Sequence, residues 1–77
     1  MIHYTENWIV SEECRINNKI VTPGTELSIR GERGRFKFLK HVINSDYEWI
    51  DVLSATGQFR SFSLDKVKTV HRIKRLR

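Results

Sequence analysis

Cysteine is nearly missing from this chain, and the one present, Cys14, cannot form an internal disulfide. With no second cysteine, and no His/Cys pair at zinc-ligand spacing, a metal staple is excluded as well. That usage points to a reducing, cytoplasmic setting. Long apolar runs are also lacking. Nothing approaches the roughly 20 residues of a membrane-spanning helix, and Met1-Ile2-His3-Tyr4-Thr5-Glu6-Asn7-Trp8 has no basic segment followed by an apolar one. The expectation is a protein neither secreted nor membrane-spanning. No repeat, linker or low-complexity segment interrupts the 77 residues, and below about 70–80 residues a second core could not form, so residues 1–77 read as one domain.

A catalytic constellation is missing too. His3, His41 and His71 are scattered, without a second histidine or a glutamate at ligand spacing. Cys14 paired with any of them is better read as a small buried hydrophobe than as a nucleophile. The acids Asp46, Glu48 and Asp51 have basic neighbours and read as cross-strand ion pairs, not as a carboxylate dyad. Gly31-Glu32-Arg33-Gly34-Arg35 lacks the Lys-Ser/Thr ending and the strand-to-helix context of a phosphate loop, and reads as a turn. The chain is therefore expected to be non-enzymatic, with no metal and no cofactor.

What the sequence does have is alternation. In the stretch from Phe36 to Ile43, Phe36, Phe38 and Val42 fall on one side of a period-two strand, and Arg35, Lys37 and His41 on the other. Lys40 breaks the inward row. Across Asn44-Ser45-Asp46, Ile50 and Val52 share one face of the answering strand, while Tyr47, Trp49, Asp51 and Leu53 share the other. Asn17-Asn18 suits a two-residue hairpin turn, since asparagine tolerates positive φ, and Thr22-Pro23-Gly24-Thr25 has the residues of a tight turn. Leu27 and Ile29 alternate with Glu26, Ser28 and Arg30. Phe59 to Ser63 is a further strand, and Ser63-Leu64-Asp65-Lys66-Val67 has the N-cap and three-residue spacing of a single helical turn. Trp8, Ile9 and Val10 form either a short closing strand or a loosely held arm. After Val67 the apolar residues recur every third position while β-branched content favours a strand, and a last strand to about Ile73 with a frayed basic end at 74–77 is preferred. The expected fold is all-β: a small SH3-like barrel of about five to six strands with one short helical turn before the last.

Charge is distributed unevenly. The chain carries 14 Lys and Arg against 9 Asp and Glu, a net +5, and there is no acid after Asp65. Lys66, Lys68, Arg72, Lys74, Arg75 and Arg77 crowd the last 12 residues. Such a block either attracts polyanions through Coulomb forces and counterion release or only solubilises the chain.

The run from Trp49 to Val70 resembles the core of the WYL domain, an SH3/Sm-like barrel with an Arg-x-Phe-x-Leu-Asp-Arg-Ile signature. Here it stands as Arg60-Ser61-Phe62-Ser63-Leu64-Asp65-Lys66-Val67. The resemblance implies that Phe62, Leu64 and Val67 plug the barrel while Arg60 and Lys66 line a ligand-facing groove, WYL domains being regarded as sensors of nucleic acid or nucleotide-like ligands. Trp49-Ile50-Asp51 stands where that family has Trp-Tyr-Leu, and Lys66 stands for its arginine. In size, basicity and the layout from Pro23-Gly24-Thr25 to Gly34-Arg35-Phe36, the whole chain is also similar to small stand-alone SH3-like proteins of tailed bacteriophages, which implies a host cytoplasm.

These readings converge on a binding module in which Arg33, Arg35, Lys37, Trp49, Arg60, Lys66, Lys68, Arg72, Lys74, Arg75 and Arg77 face a nucleic-acid backbone, DNA or RNA. Trp49 is either a base-stacking platform or a core residue. The rival is a protein-interaction adaptor, phage-encoded and binding a host or virion protein, with Tyr47, Trp49 and Phe59 as anchors.

Overall fold

The structure is a computed structural model that describes residues 8–71. Eight strands follow one another: β1 (Ile9–Ser11), β2 (Cys14–Ile16), β3 (Lys19–Val21), β4 (Glu26–Ile29), β5 (Phe36–Ile43), β6 (Glu48–Ser54), β7 (Phe59–Ser63) and β8 (Val67–His71). A 3₁₀ turn, Leu64–Lys66, precedes the last strand. The class is all-β, and the helical turn sits where the sequence places it. Five strands pair in the order β7-β6-β5-β4-β8, β1 joins along β5, and β2 and β3 form a separate hairpin. The domain is thus one small main sheet with a short hairpin beside it.

The turns follow from their residues. Asn17 and Asn18 both take positive φ, 52° and 65°, the pair of left-handed conformations that a two-residue hairpin needs. At Thr22-Pro23-Gly24-Thr25, Gly24 stands at φ 94° and the Thr25 amide donates to the Thr22 carbonyl at 3.0 Å. Only glycine adopts that φ without strain, while proline supplies the preceding one. The turn also extends the sheet, because Gly24 donates to the Phe38 carbonyl and Phe38 donates to the Thr25 carbonyl, each at 2.9 Å.

β5 is the strand that two neighbours share. Its first residues pair with β4 (Leu27 opposite Phe36, Glu26 opposite Lys37), and its last ones pair with β1 (Ser11 opposite His41, Val10 opposite Val42). Both strands run antiparallel to β5 along the same edge, and β5 bends between the two paired stretches. The bend is a bulge: Phe38 faces Val52 and Lys40 faces Asp51, leaving Leu39 as the extra residue. A bulge adds a residue, raises the local twist and turns the succeeding side chains to the opposite face.

Two expectations are corrected by that extra residue. Val42 does not continue the inward row of Phe36 and Phe38. It is buried, yet lies outside the main core cluster and pairs across the sheet with Val10 and Trp49. His41, placed by simple alternation on the outer side, instead pairs with Ile50, itself opposite Phe62. The position of Lys40 is accounted for by the same bulge, since it faces Asp51 on the outer side.

The main core comprises Ile16, Val21, Leu27, Ile29, Phe36, Phe38, Ile50, Val52, Val67 and Val70, with Cys14, Phe62 and Leu64 packed against it. Phe36 meets Phe62 edge-on at 5.5 Å between ring centroids, a favoured aromatic geometry. β1 is a strand and not a free arm, and β8 runs to His71. The expected continuation to Ile73 and the frayed end at 74–77 lie outside the described residues.

Candidate nucleic-acid interface

Several of the basic residues gather at the end of the domain where β5 begins. The loop 30–35 is tied there by its backbone: the Arg30 amide donates to the Lys66 carbonyl at 2.8 Å, and the Glu32 amide to the Ile29 carbonyl at 3.1 Å. This joins Arg30 and Arg33 to the 3₁₀ turn that carries Lys66. Arg60 reaches the same loop, its guanidinium 3.2 Å from the Glu32 carboxylate and 5.0 Å from the centroid of the Phe62 ring. Lys68 is the extra residue of a second irregularity, since Thr69 faces Ser28 and Val67 faces Ile29. It is exposed.

Not all of these cations are free. Arg35 is paired with Glu26 at 2.9 Å and Arg60 with Glu32. Both pairs are partly exposed, where such contacts stabilise by about 0–1 kcal/mol and can be exchanged for other anions. Arg30, Arg33, Lys37, Lys66 and Lys68 are exposed and make no ion pair among the described residues. Asp65 is the remaining acid here. Its carboxyl is held below the ordinary range, first by the Ser63 hydroxyl that donates to it and more weakly by Lys66 and Arg30.

One row of residues crosses the outer face at this end. His71, Glu26, Lys37, Leu53 and Phe59 are successive cross-strand neighbours on β8, β4, β5, β6 and β7. Phe59 is 59% exposed. It is therefore the aromatic that accompanies the cations. Trp49, expected in that role, is four residues further along β6, about 13 Å away, paired with Val42 and Ser63. It is half-buried, with the Trp8 ring edge-on at 5.3 Å. Trp49 is neither in the main core nor an open platform: it belongs to a second apolar layer on the outer face, with Val42, Val10 and Trp8. Arg72, Lys74, Arg75 and Arg77 lie outside the described residues.

Sequence pattern alone misses two contributors. Arg30 reads as an ordinary solvent-facing strand residue, although its place immediately before Gly31 signals that it borders the loop. Phe59 reads as an anchor for a protein partner alone, because its pairing with Leu53, and through Leu53 its place in one row with Lys37, is not visible in local alternation. One polar contact, Ser28 Oγ to His71 Nε2 at 2.7 Å, has the spacing of a nucleophile and base, but the two lie diagonally across the β4–β8 pair.

Two of the three acids behave as cross-strand partners, and Asp46 makes no ion pair among the described residues. Asp51 is buried, accepts from the Ser61 hydroxyl at 2.6 Å and lies 3.9 Å from Lys40, and Glu48 contacts His41 at 2.7 Å. No group of three His, Cys, Asp or Glu suited to a metal occurs among the described residues. Burial pushes the Cys14 thiol above its ordinary range, and the nearby Glu48 charge adds to this. At neutral pH the thiol is protonated, so iodoacetamide should label Cys14 of the folded protein more slowly than free cysteine, and faster in Glu48→Gln. Labelling at the free-cysteine rate would contradict the raised value. As pH rises through the thiol range the unfolded chain ionises first, so the stability this group contributes at lower pH declines there.

No curated protein and no solved structure matches this chain. A family model matches residues 3–77, nearly the whole sequence and all of the sheet described above. The chain belongs to that family, a domain of unknown function (DUF7246).

Proposed function

We propose that this domain is a non-enzymatic binding module for the phosphate backbone of nucleic acid, engaged by the basic end of the barrel. The observation that carries the reading is the group of five exposed cations, Arg30, Arg33, Lys37, Lys66 and Lys68, that make no ion pair among the described residues, with the exposed Phe59 in the same cross-strand row as Lys37. Cations without carboxylate partners hold mobile counterions nearby, and a polyanion that replaces them gains the entropy of ions released from its own atmosphere. Arg35 and Arg60 add to the same surface once their exposed carboxylate partners yield to phosphate. Phe59 supplies a π-face for a base. The sequence continues beyond His71 with Arg72, Lys74, Arg75 and Arg77, which extend the basic character of this half of the chain.

The test is the salt dependence of affinity for a duplex and a single-stranded oligonucleotide. Log affinity is expected to fall linearly against log salt, by about 0.9 per phosphate contacted on duplex DNA and about 0.7 on a single strand. An affinity unchanged between low and physiological salt would remove the proposal.

A second reading, the protein-interaction adaptor, is favoured by Tyr47 and Trp8, which are 71% and 41% exposed. Aromatics of this kind anchor protein interfaces. Capture of partners from nuclease-treated lysate separates the two: protein partners that persist support the adaptor, and partners that disappear with the nucleic acid support the backbone-binding module.

A further inference from the structure

The long β5–β6 hairpin separates two unlike surfaces. At its turn, Tyr47 and Ile9 are 71% and 59% exposed and Trp8 is 41% exposed. The carboxylates Asp46, in the turn, and Glu12 and Glu13, which follow β1, are exposed and make no ion pair among the described residues. Glu12 and Glu13 lie between Ser11, which pairs with His41, and Cys14, on which the Glu48 charge acts; the His41 ring contacts Glu48, and Asp46 stands two residues before Glu48 in the turn. At the other end lie Arg30, Arg33 and Lys66, which make no ion pair among the described residues, and the exposed Phe59. β5 has eight residues, about 25 Å of strand, and the turn and the loop 30–35 stand at its opposite ends.

We infer that the hairpin-turn end of one copy docks on the basic end of a second copy, Glu12, Glu13 and Asp46 meeting Arg30, Arg33 and Lys66, with Tyr47 and Trp8 against guanidinium groups. The partner is argued from charge: a surface with unpaired carboxylates and exposed aromatics is complementary to one with unpaired guanidinium groups, which pair bidentately with carboxylates and stack on aromatic faces. The contact joins unlike patches, so it leaves one end of each kind free after every addition, and growth continues unless the rotation between copies closes a ring. The net charge of +5 opposes association, which makes the contact weak and concentration-dependent. It does not depend on the nucleic-acid reading, but it uses the same cations, so a polyanion competes with the second copy.

Sedimentation velocity on the nuclease-treated full chain tests this, from about 10 μM to about 1 mM, the range in which small, weak interfaces register. The weight-average mass should climb at low salt without a plateau at two copies, and return to monomer at about 0.5 M salt, where the Debye length is only a few ångströms. Two neutralised variants sharpen the test. Glu12→Gln/Glu13→Gln/Asp46→Asn lacks the acidic surface, and Arg30→Gln/Arg33→Gln/Lys66→Gln lacks the basic one. Both alter exposed side chains only and should melt as the native chain does. Each alone should be monomeric, and an equimolar mixture should give a dimer that grows no further, since it unites the one intact surface of each. A native chain that stays monomeric at low salt, a native chain that stops at two copies, or a mixture without dimer would each overturn the inference. Nucleic-acid binding is read separately by the salt titration, so failure of one proposal is distinguishable from failure of the other.

Discussion

Phe38→Ala is expected to leave the chain largely unfolded at room temperature, seen as collapsed dispersion in an amide correlation spectrum. Phe38 is 0% exposed, is among the largest fully buried side chains, and its backbone is bonded to the Thr22–Thr25 turn on one side while β6 pairs on the other. Removing a buried phenylalanine side chain costs about 3–5 kcal/mol through forfeited transfer energy and the cavity left behind. A single core of this size rarely supplies more than about 3–5 kcal/mol in total, so the loss and the reserve are equal in scale. The control is Phe59→Ala. Its ring is 59% exposed, and surface substitutions of that kind usually stay within about 0.5 kcal/mol. A well-dispersed spectrum from Phe38→Ala would mean that the core is organised around other residues.

The second large effect concerns binding. Replacing Arg30, Arg33 and Lys66 together by alanine should make the slope of log affinity against log salt shallower by about two to three units, since each cation removed deprives one phosphate of its partner. The melting curve should move little, because all three are exposed and make no ion pair among the described residues. The pair Arg35→Ala/Arg60→Ala provides the contrast. Each of those changes also releases a carboxylate, Glu26 or Glu32, beside the surface, so affinity should fall through repulsion as well as through the missing guanidinium groups. An unchanged salt slope in the triple variant would place the phosphate-binding residues elsewhere on the molecule.

Both effects rest on residues of unequal legibility. The inward positions of Phe36, Phe38, Leu27, Ile29, Ile50 and Val52 can be read from period-two alternation. So can the turns at Asn17-Asn18 and Pro23-Gly24, because these depend on which φ values a residue tolerates, a property of the residue itself. The location of the aromatic in the candidate site cannot. Trp49 and Phe59 both fit the composition, and only the register of β6 against β5 and β7 separates the one against Trp8 from the one in the cross-strand row of Lys37.

Local conformational preference and simple counting are enough for the all-β class, the hairpin turns, the helical turn before the last strand and the concentration of charge toward the C-terminal half. The faces occupied by Val42 and His41 need long-range pairing, because the bulge at Leu39 answers a demand that β5 meet β4 at one end and β1 at the other. Which cations stay free is settled in the same way. Glu26 neutralises Arg35 and Glu32 neutralises Arg60 across strands and loops, and a charge is cancelled by what lies within a few ångströms of it in space, however far apart the two residues stand along the chain.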